Sequence, residues 1–131
     1  MQYSVYVRDA KLDAVEATIG GSAVLKIRTG PKPATCAAAD SGTVLAAADL
    51  PADWMAAAAS GVKTKSGTWE DLSADATGTA GHFRIYESGG ITCHIQGTVG
   101  TSGADMIVNT VAFNAGQAFS VTTFTIRDNN G

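Results

Sequence analysis

Short runs of alternating apolar and polar residues, each closed by Gly, Pro, Ser or Asn, fill this chain after residue 21, and that punctuation admits few architectures. Gly30-Pro31-Lys32-Pro33, Ser60-Gly61, the polar stretch 70–78, Ser88-Gly89-Gly90 and Asn114-Ala115-Gly116 are five turn signals that separate about seven strands. The spacing predicts a mainly β chain, an antiparallel β-sandwich or jelly roll, and not βαβ units. The 131 residues carry 34 bulky apolar side chains, enough for one core, while alanine supplies 23 more small ones. Neither a repeat nor a linker interrupts the chain, so residues 1–131 read as one domain with 1–20 as an N-terminal helical arm.

The arm follows from periodicity. Leu12, Val15 and Ile19 recur at three- and four-residue spacing and share one stripe of a helix over 9–19. Asp9 is a candidate cap, the stripe extends back through Val5 if the helix begins near Ser4, and Gly20-Gly21 ends it. A helix this short is marginal alone and must dock on something. Its terminal position and the flexible glycines favour docking on a partner, which makes Val5, Tyr6, Leu12, Val15 and Ile19 the candidate partner interface.

Beyond the arm, residues 23–28 alternate as a strand with Leu25 and Ile27 inward, 34–42 reads as loop, and 43–47 as a short strand. Residues 51–58 predict one or two helical turns, and 62–69 a strand. The last pair, 105–113 and 117–127, holds a phase break: Phe119 and Val121 face one way, Phe124 and Ile126 the other. A bulge at Thr122-Thr123, or a bend between sheets, would bring all four to the core.

The stretch from His82 to Gln96 contains both histidines and Cys93. A three-residue loop, Ser88-Gly89-Gly90, pairs Ile85 with Cys93 and Phe83 with Ile95. It puts Phe83, Ile85, Cys93 and Ile95 on one face and Arg84, Tyr86, Thr92 and His94 on the other. Cys93 is then a small core residue, and a Cys93–His94 dyad is excluded because adjacent strand residues point apart. His82 and His94 are diagonal neighbours in this register, but the Arg84 cation beside them would repel a metal, and no third ligand has motif spacing. Glu70, Asp71 and Asp75 form an acidic cluster that reads as solvated loop rather than a calcium site. Trp54 and Trp69 read as core or interface aromatics rather than a sugar platform. With no metalloprotease, hydrolase, P-loop or dinucleotide motif, the sequence predicts no catalytic residues, no cofactor and no metal.

Charge narrows the partners. The net charge is -3 and no cluster of Lys or Arg with aromatics appears, which argues against nucleic acid and against anionic membranes. No apolar run is long enough to span a bilayer, and the charged N-terminus does not read as an export signal. Cys36 and Cys93 are then expected to be reduced, pairing only on meeting an oxidant. From Ser88 to Ile126 the only Asp, Glu, Lys or Arg is Asp105. A β-rich segment so poor in charge suits either a Thr-rich solvent face or packing against other subunits.

The run SGTWEDLSADATGTAGHFRIYESGGITCHIQGTVGTSGADM, with KLDAVEATIGGSAVLKIRTG before it, resembles small virion structural proteins of tailed bacteriophages, over most of the chain from Leu12 to Ile126. The resemblance implies a location in the virion, assembled in the host cytoplasm, with the major capsid protein or other virion subunits as partners and homo-oligomeric contacts in the particle. It implies a capsid cement or decoration protein, with tail or neck as alternative stations, and it brings no catalytic residue. A glycan- or receptor-binding module on the same β scaffold is a separate alternative, and exposed rings at Trp54, Trp69 or Tyr86 would favour it. An enzyme would need a cleft joining a histidine to a carboxylate.

Overall fold

The computed structural model describes residues 1–129. A helix, α1 (Val5–Ile19), is followed by nine strands among the described residues. These are β1 (Val24–Thr29), β2 (Val44–Asp49), β3 (Val62–Thr64), β4 (Glu70–Asp71), β5 (Gly78–Tyr86), β6 (Cys93–Gly100), β7 (Met106–Val108), β8 (Ala112–Phe113) and β9 (Phe119–Arg127). One hydrogen-bonded path runs β2-β1-β5-β6-β7-β9-β3, with β4 added to β9 and β8 to β5. The chain is mainly β with one N-terminal helix, as the punctuation predicts, but the sheet is mixed: β6 and β7 run parallel.

The sheet is strongly curled. Phe83 on β5 and Phe124 on β9 are three ladder steps apart, which in a flat sheet is about 14 Å. Their ring centroids lie 5.6 Å apart, edge to face. Trp69 stacks obliquely on Phe124 at 5.4 Å and on Trp54 at 5.9 Å, so an aromatic chain fills the hollow of the curl. Leu25, Ile27, Leu45 and Ile85 complete this core.

The parallel step is unusual because only five residues link β6 to β7, where parallel neighbours normally need a long crossover. Asp105 holds it. Its carboxylate accepts from the Thr98 backbone N–H at 2.9 Å and the Thr98 hydroxyl at 3.1 Å, and its own N–H donates to Thr98 Oγ1 at 3.0 Å. Gly97 leaves the room, since a Cβ there would sit 2.7 Å from Asp105 Oδ2 and 2.8 Å from the Phe83 ring.

Three expectations need correction. The helix starts earlier than Asp9: Ser4 caps it, its side chain accepting from the Val7 N–H at 3.3 Å. Residues 51–58 are not helical, because neighbours take their N–H groups: Met55 donates to Glu16 Oε2, Ala56 to the Thr64 carbonyl and Ala58 to Asp13 Oδ1. The β5–β6 loop spans Glu87 to Thr92 rather than three residues. Glu87 organises it by accepting from the backbone of Ile91 and Thr92, and Gly90 takes the left-handed backbone at φ +71°.

The longer loop slides the register by two, so Ile85 pairs with Ile95 and Phe83 with Gly97, and the faces survive. A bulge between Ile85 and Tyr86 then flips the last pair, so that Cys93 faces Tyr86 rather than Ile85. The other bulge falls where the phase break requires one. Ile107 pairs with Thr123 but Val108 with Val121, leaving Thr122 unpaired. Phe119, Val121 and Phe124 are buried, and Ile126 packs against the core.

The helix is bound to the body. Ile19 enters the core, Leu12 is buried and Val15 is half-buried. Lys63, 2% exposed, sets its ammonium 2.7 Å from Asp13 and 3.1 Å from Glu16, and Asp9 accepts from the Gly61 N–H at 2.7 Å. Burial opposes the Lys63 charge, but hydrogen bonds from its ammonium to Asp13 and Glu16 outweigh it and raise its pKa; the same contact lowers that of Asp13.

Deleting residues 1–20 would strip the core of Ile19 and leave a buried ammonium unpaired, a loss of at least about 4 kcal/mol. The truncated protein is expected to melt early or aggregate, whereas a free arm would leave the melting temperature unchanged. The register has its own check. Cys93→Ser should cost under about 1 kcal/mol, since the hydroxyl can donate to the Ile95 carbonyl as the thiol does, against about 2–5 kcal/mol for Ile85→Ala. Urea denaturation midpoints measure both.

Candidate functional site

Polar residues on β1, β5 and β6 hold the connection between β1 and β2 against the sheet. Lys26 and Arg28 pair with Arg84 and His82, and Arg84 and His82 pair with Gln96 and Thr98. On an exposed sheet these would point to water. Here the loop over 30–43 folds back across Arg28, His82, Arg84 and Gln96, while Thr98 stays exposed. Arg84, 1% exposed, donates from Nη2 to the carbonyls of Thr35, Cys36 and Ala38 at 3.0, 3.2 and 3.1 Å, from Nε to Gln96 Oε1 at 3.1 Å, and from Nη1 to Asp40. Gln96 donates to the Pro33 carbonyl at 2.7 Å, His82 Nδ1 lies 2.8 Å from the Gly30 carbonyl, and Arg28 reaches Asp40 at 3.1 Å. Arg84 and Tyr86, expected on an outer face, are therefore inside.

Asp40 is the anion of this cluster. It accepts from Arg84, Arg28 and, at 2.7 Å, the Tyr86 hydroxyl. Burial works against its charge, but the bonds from Tyr86 and Arg84 and the nearby Arg28 prevail and hold its pKa below the ordinary 3.8. Burial, then the bond to Asp40, pushes the Tyr86 phenol up. Among the described residues, two buried atoms, Arg28 Nε and His82 Nε2, have no protein partner.

The histidines part company. His82 is fully buried under the loop, while His94, at the β6 bulge, joins Lys11, Val15 and Ile19 in a groove of about 330 Å³ beside α1. His94 Nε2 lies 3.6 Å from Glu87 Oε2 at the surface. Among the described residues no three His, Cys, Asp or Glu side chains gather as a metal site. In the acidic cluster, Asp71 accepts from the N–H groups of Ala47 and Ser73, tying β4 to β2. Trp54 and Trp69 are 0% and 1% exposed, their indole N–H groups bonded to the Gly20 and Ser66 carbonyls.

The proposed partner interface divides in two. Leu12 is covered by the chain's own body, and Val15 and Ile19 line the groove beside it. Val5 and Tyr6 are exposed, Tyr6 at 83%, and so are Met1, Tyr3 and Val7 around the helix start. Lys11 sits over the Tyr3 ring at 4.5 Å and pairs with Asp128 at 2.7 Å, while Arg8 donates to the Asp128 carbonyl at 2.9 Å. The body covers Leu12 and Ile19 and half-covers Val15, whereas Val5, where the same stripe extends back, and Tyr6 beside it stay exposed.

No protein-family model, no curated protein and no solved structure matches this chain. No helix among the described residues is long and apolar enough to cross a membrane.

The Asp40 cluster sets an acid limit. A carboxylate with a depressed pKa contributes its full stability above its unfolded value of 3.8 and loses it as pH falls through the lower folded value. Asp40 is 39% exposed, so water screens part of the interaction, and Asp40→Asn is expected to cost about 1–2 kcal/mol at neutral pH. Chemical denaturation followed from about pH 6 to about pH 2 should show a smaller acid-side decline in the variant than in the parent. Parallel declines would mean that Asp40 does not carry the linkage.

Proposed function

We propose that this protein is a non-enzymatic virion structural protein of a tailed bacteriophage, acting as capsid cement or decoration. The observation that carries the reading is the set of exposed apolar residues around the start of α1. Val5, Tyr6 and Val7 stand exposed in the first turn of the helix, with Met1 and Tyr3 exposed just before it, and the helix's other half is fixed to the body by Lys63 and Ile19. Exposed apolar residues crowded into seven positions of sequence suit a contact site, and a rigid mount lowers the ordering cost of making that contact.

The charge-poor β segment supports the same reading. Its single acidic residue, Asp105, is spent on Thr98, and Thr122 and Thr123 on β9 are exposed and neutral. Such a surface can be covered without desolvating charge. The curled sheet would serve as a sandwich-like rigid body bridging neighbouring capsid subunits, and each bridge adds interface area that must be lost before the shell ruptures. Burial of Trp54, Trp69 and Tyr86 removes the rings on which a glycan-binding reading leaned.

The test uses shells that lack this protein. Intact protein should co-sediment with them, while Val5→Glu combined with Tyr6→Glu should keep the parental melting temperature and bind about tenfold or more weakly. A folded intact protein that fails to bind shells and is missing from purified virions would sink the reading.

A further inference from the structure

We propose that Cys36 and Cys93 form a reversible intramolecular disulfide that fastens the β1–β2 loop to the start of β6. The bulge at Ile85/Tyr86 turns Cys93 onto the face that the loop covers. The Arg84 guanidinium holds the Cys36 carbonyl at 3.2 Å, which fixes that residue over the same face. Both cysteines line one cavity of about 390 Å³, together with Asp40 and Arg84. Both thiols are free. They lie 57 positions apart in sequence, yet the bonds from Arg84 to the loop set both beside one cavity before any S–S bond forms.

The chemistry requires a two-electron oxidant, here a peroxide. Cys36, half-buried where Cys93 is buried, meets it first. Its thiolate attacks the O–O bond, giving a sulfenic acid and releasing hydroxide. The Cys93 sulfur then attacks the sulfenic sulfur and expels a second hydroxide as the S–S bond forms. Two thiols and one peroxide thus yield one disulfide and two waters, with both electrons passing from sulfur to peroxide. Burial, and then the contact with Cys36, pushes the Cys93 thiol up to about 12, so its thiolate is scarce and the resolving step accelerates with rising pH.

Closing so long a loop constrains the unfolded chain, and oxidation is expected to raise the melting temperature by roughly 5–10 °C. The experiment treats the full chain with hydrogen peroxide, blocks residual thiols with N-ethylmaleimide, and reads intact mass, a non-reducing peptide map and a thermal melt. The expected result is a monomer lighter by two hydrogens, a peptide joining Cys36 to Cys93, and a higher melting temperature that dithiothreitol reverses. Cys36→Ser leaves the backbone carbonyl for Arg84, so the variant should fold and show neither cross-link nor rise. The proposal is overturned if peroxide leaves Cys93 open to alkylation on unfolding while Cys36 becomes sulfinic or sulfonic acid. Cross-linking only between chains, or an equal rise in Cys36→Ser, overturns it too. None of these outcomes depends on the virion reading.

Discussion

A single buried guanidinium organises one side of this protein. A loop of small residues cannot satisfy its own carbonyls or bury much apolar surface, and left alone it would stay open to water. Arg84 offers five N–H donors in a fixed fork, and it spends them on three loop carbonyls, on Gln96 and on Asp40. The cost of taking that charge from water is met by Asp40 and by the density of acceptors around it. The position of the loop, the burial of His82 and Tyr86, and the placing of Cys36 and Cys93 beside one cavity all follow this arrangement. Lysine, a point charge with three donors, could not span the same acceptors.

A second buried cation does comparable work on the other side. Lys63 on β3 gathers Asp13 and Glu16, and those same carboxylates accept N–H groups from Met55 and Ala58. The helix is therefore joined to the sheet through an acidic edge as well as through Ile19. Both faces follow one plan: polar side chains hold segments whose own sequence is too poor in large apolar residues to pack them. A chain with 23 alanines among its apolar residues has reason to use it.

Much of the β framework was legible from alternation and turn residues. The inward set Leu25, Ile27, Phe83 and Ile85 came from parity alone, and parity survived a two-residue register slide. The irregularity at Thr122 was legible because four large apolar residues needed a bulge or a bend to reach one core, and the structure uses the bulge. Cys93 was misplaced because a second bulge sat beside a turn shaped by the Glu87 side chain, which alternation does not register. The polar interior was hidden for a different reason. Arg84 and His82 alternate as outward residues should, and the loop that covers them has no apolar pattern of its own. The signal that could have shown it is a row of long donors opposite a stretch rich in small residues with carbonyls to spare. The 51–58 segment misled because alanine favours helix, while the partners claiming its N–H groups lie some forty positions away in sequence.

The bonds that hold this loop also set an order of assembly. The loop over 30–43 closes the β1–β2 hairpin, which is local in sequence and can pair early. Its anchors on β5 and β6 lie more than forty residues further on, so the loop has nothing to grip until β5 has docked beside β1 and β6 has joined it. During synthesis the N-terminal hairpin must emerge and wait with its connection unsettled, and the last strand added to that face locks a segment made long before it.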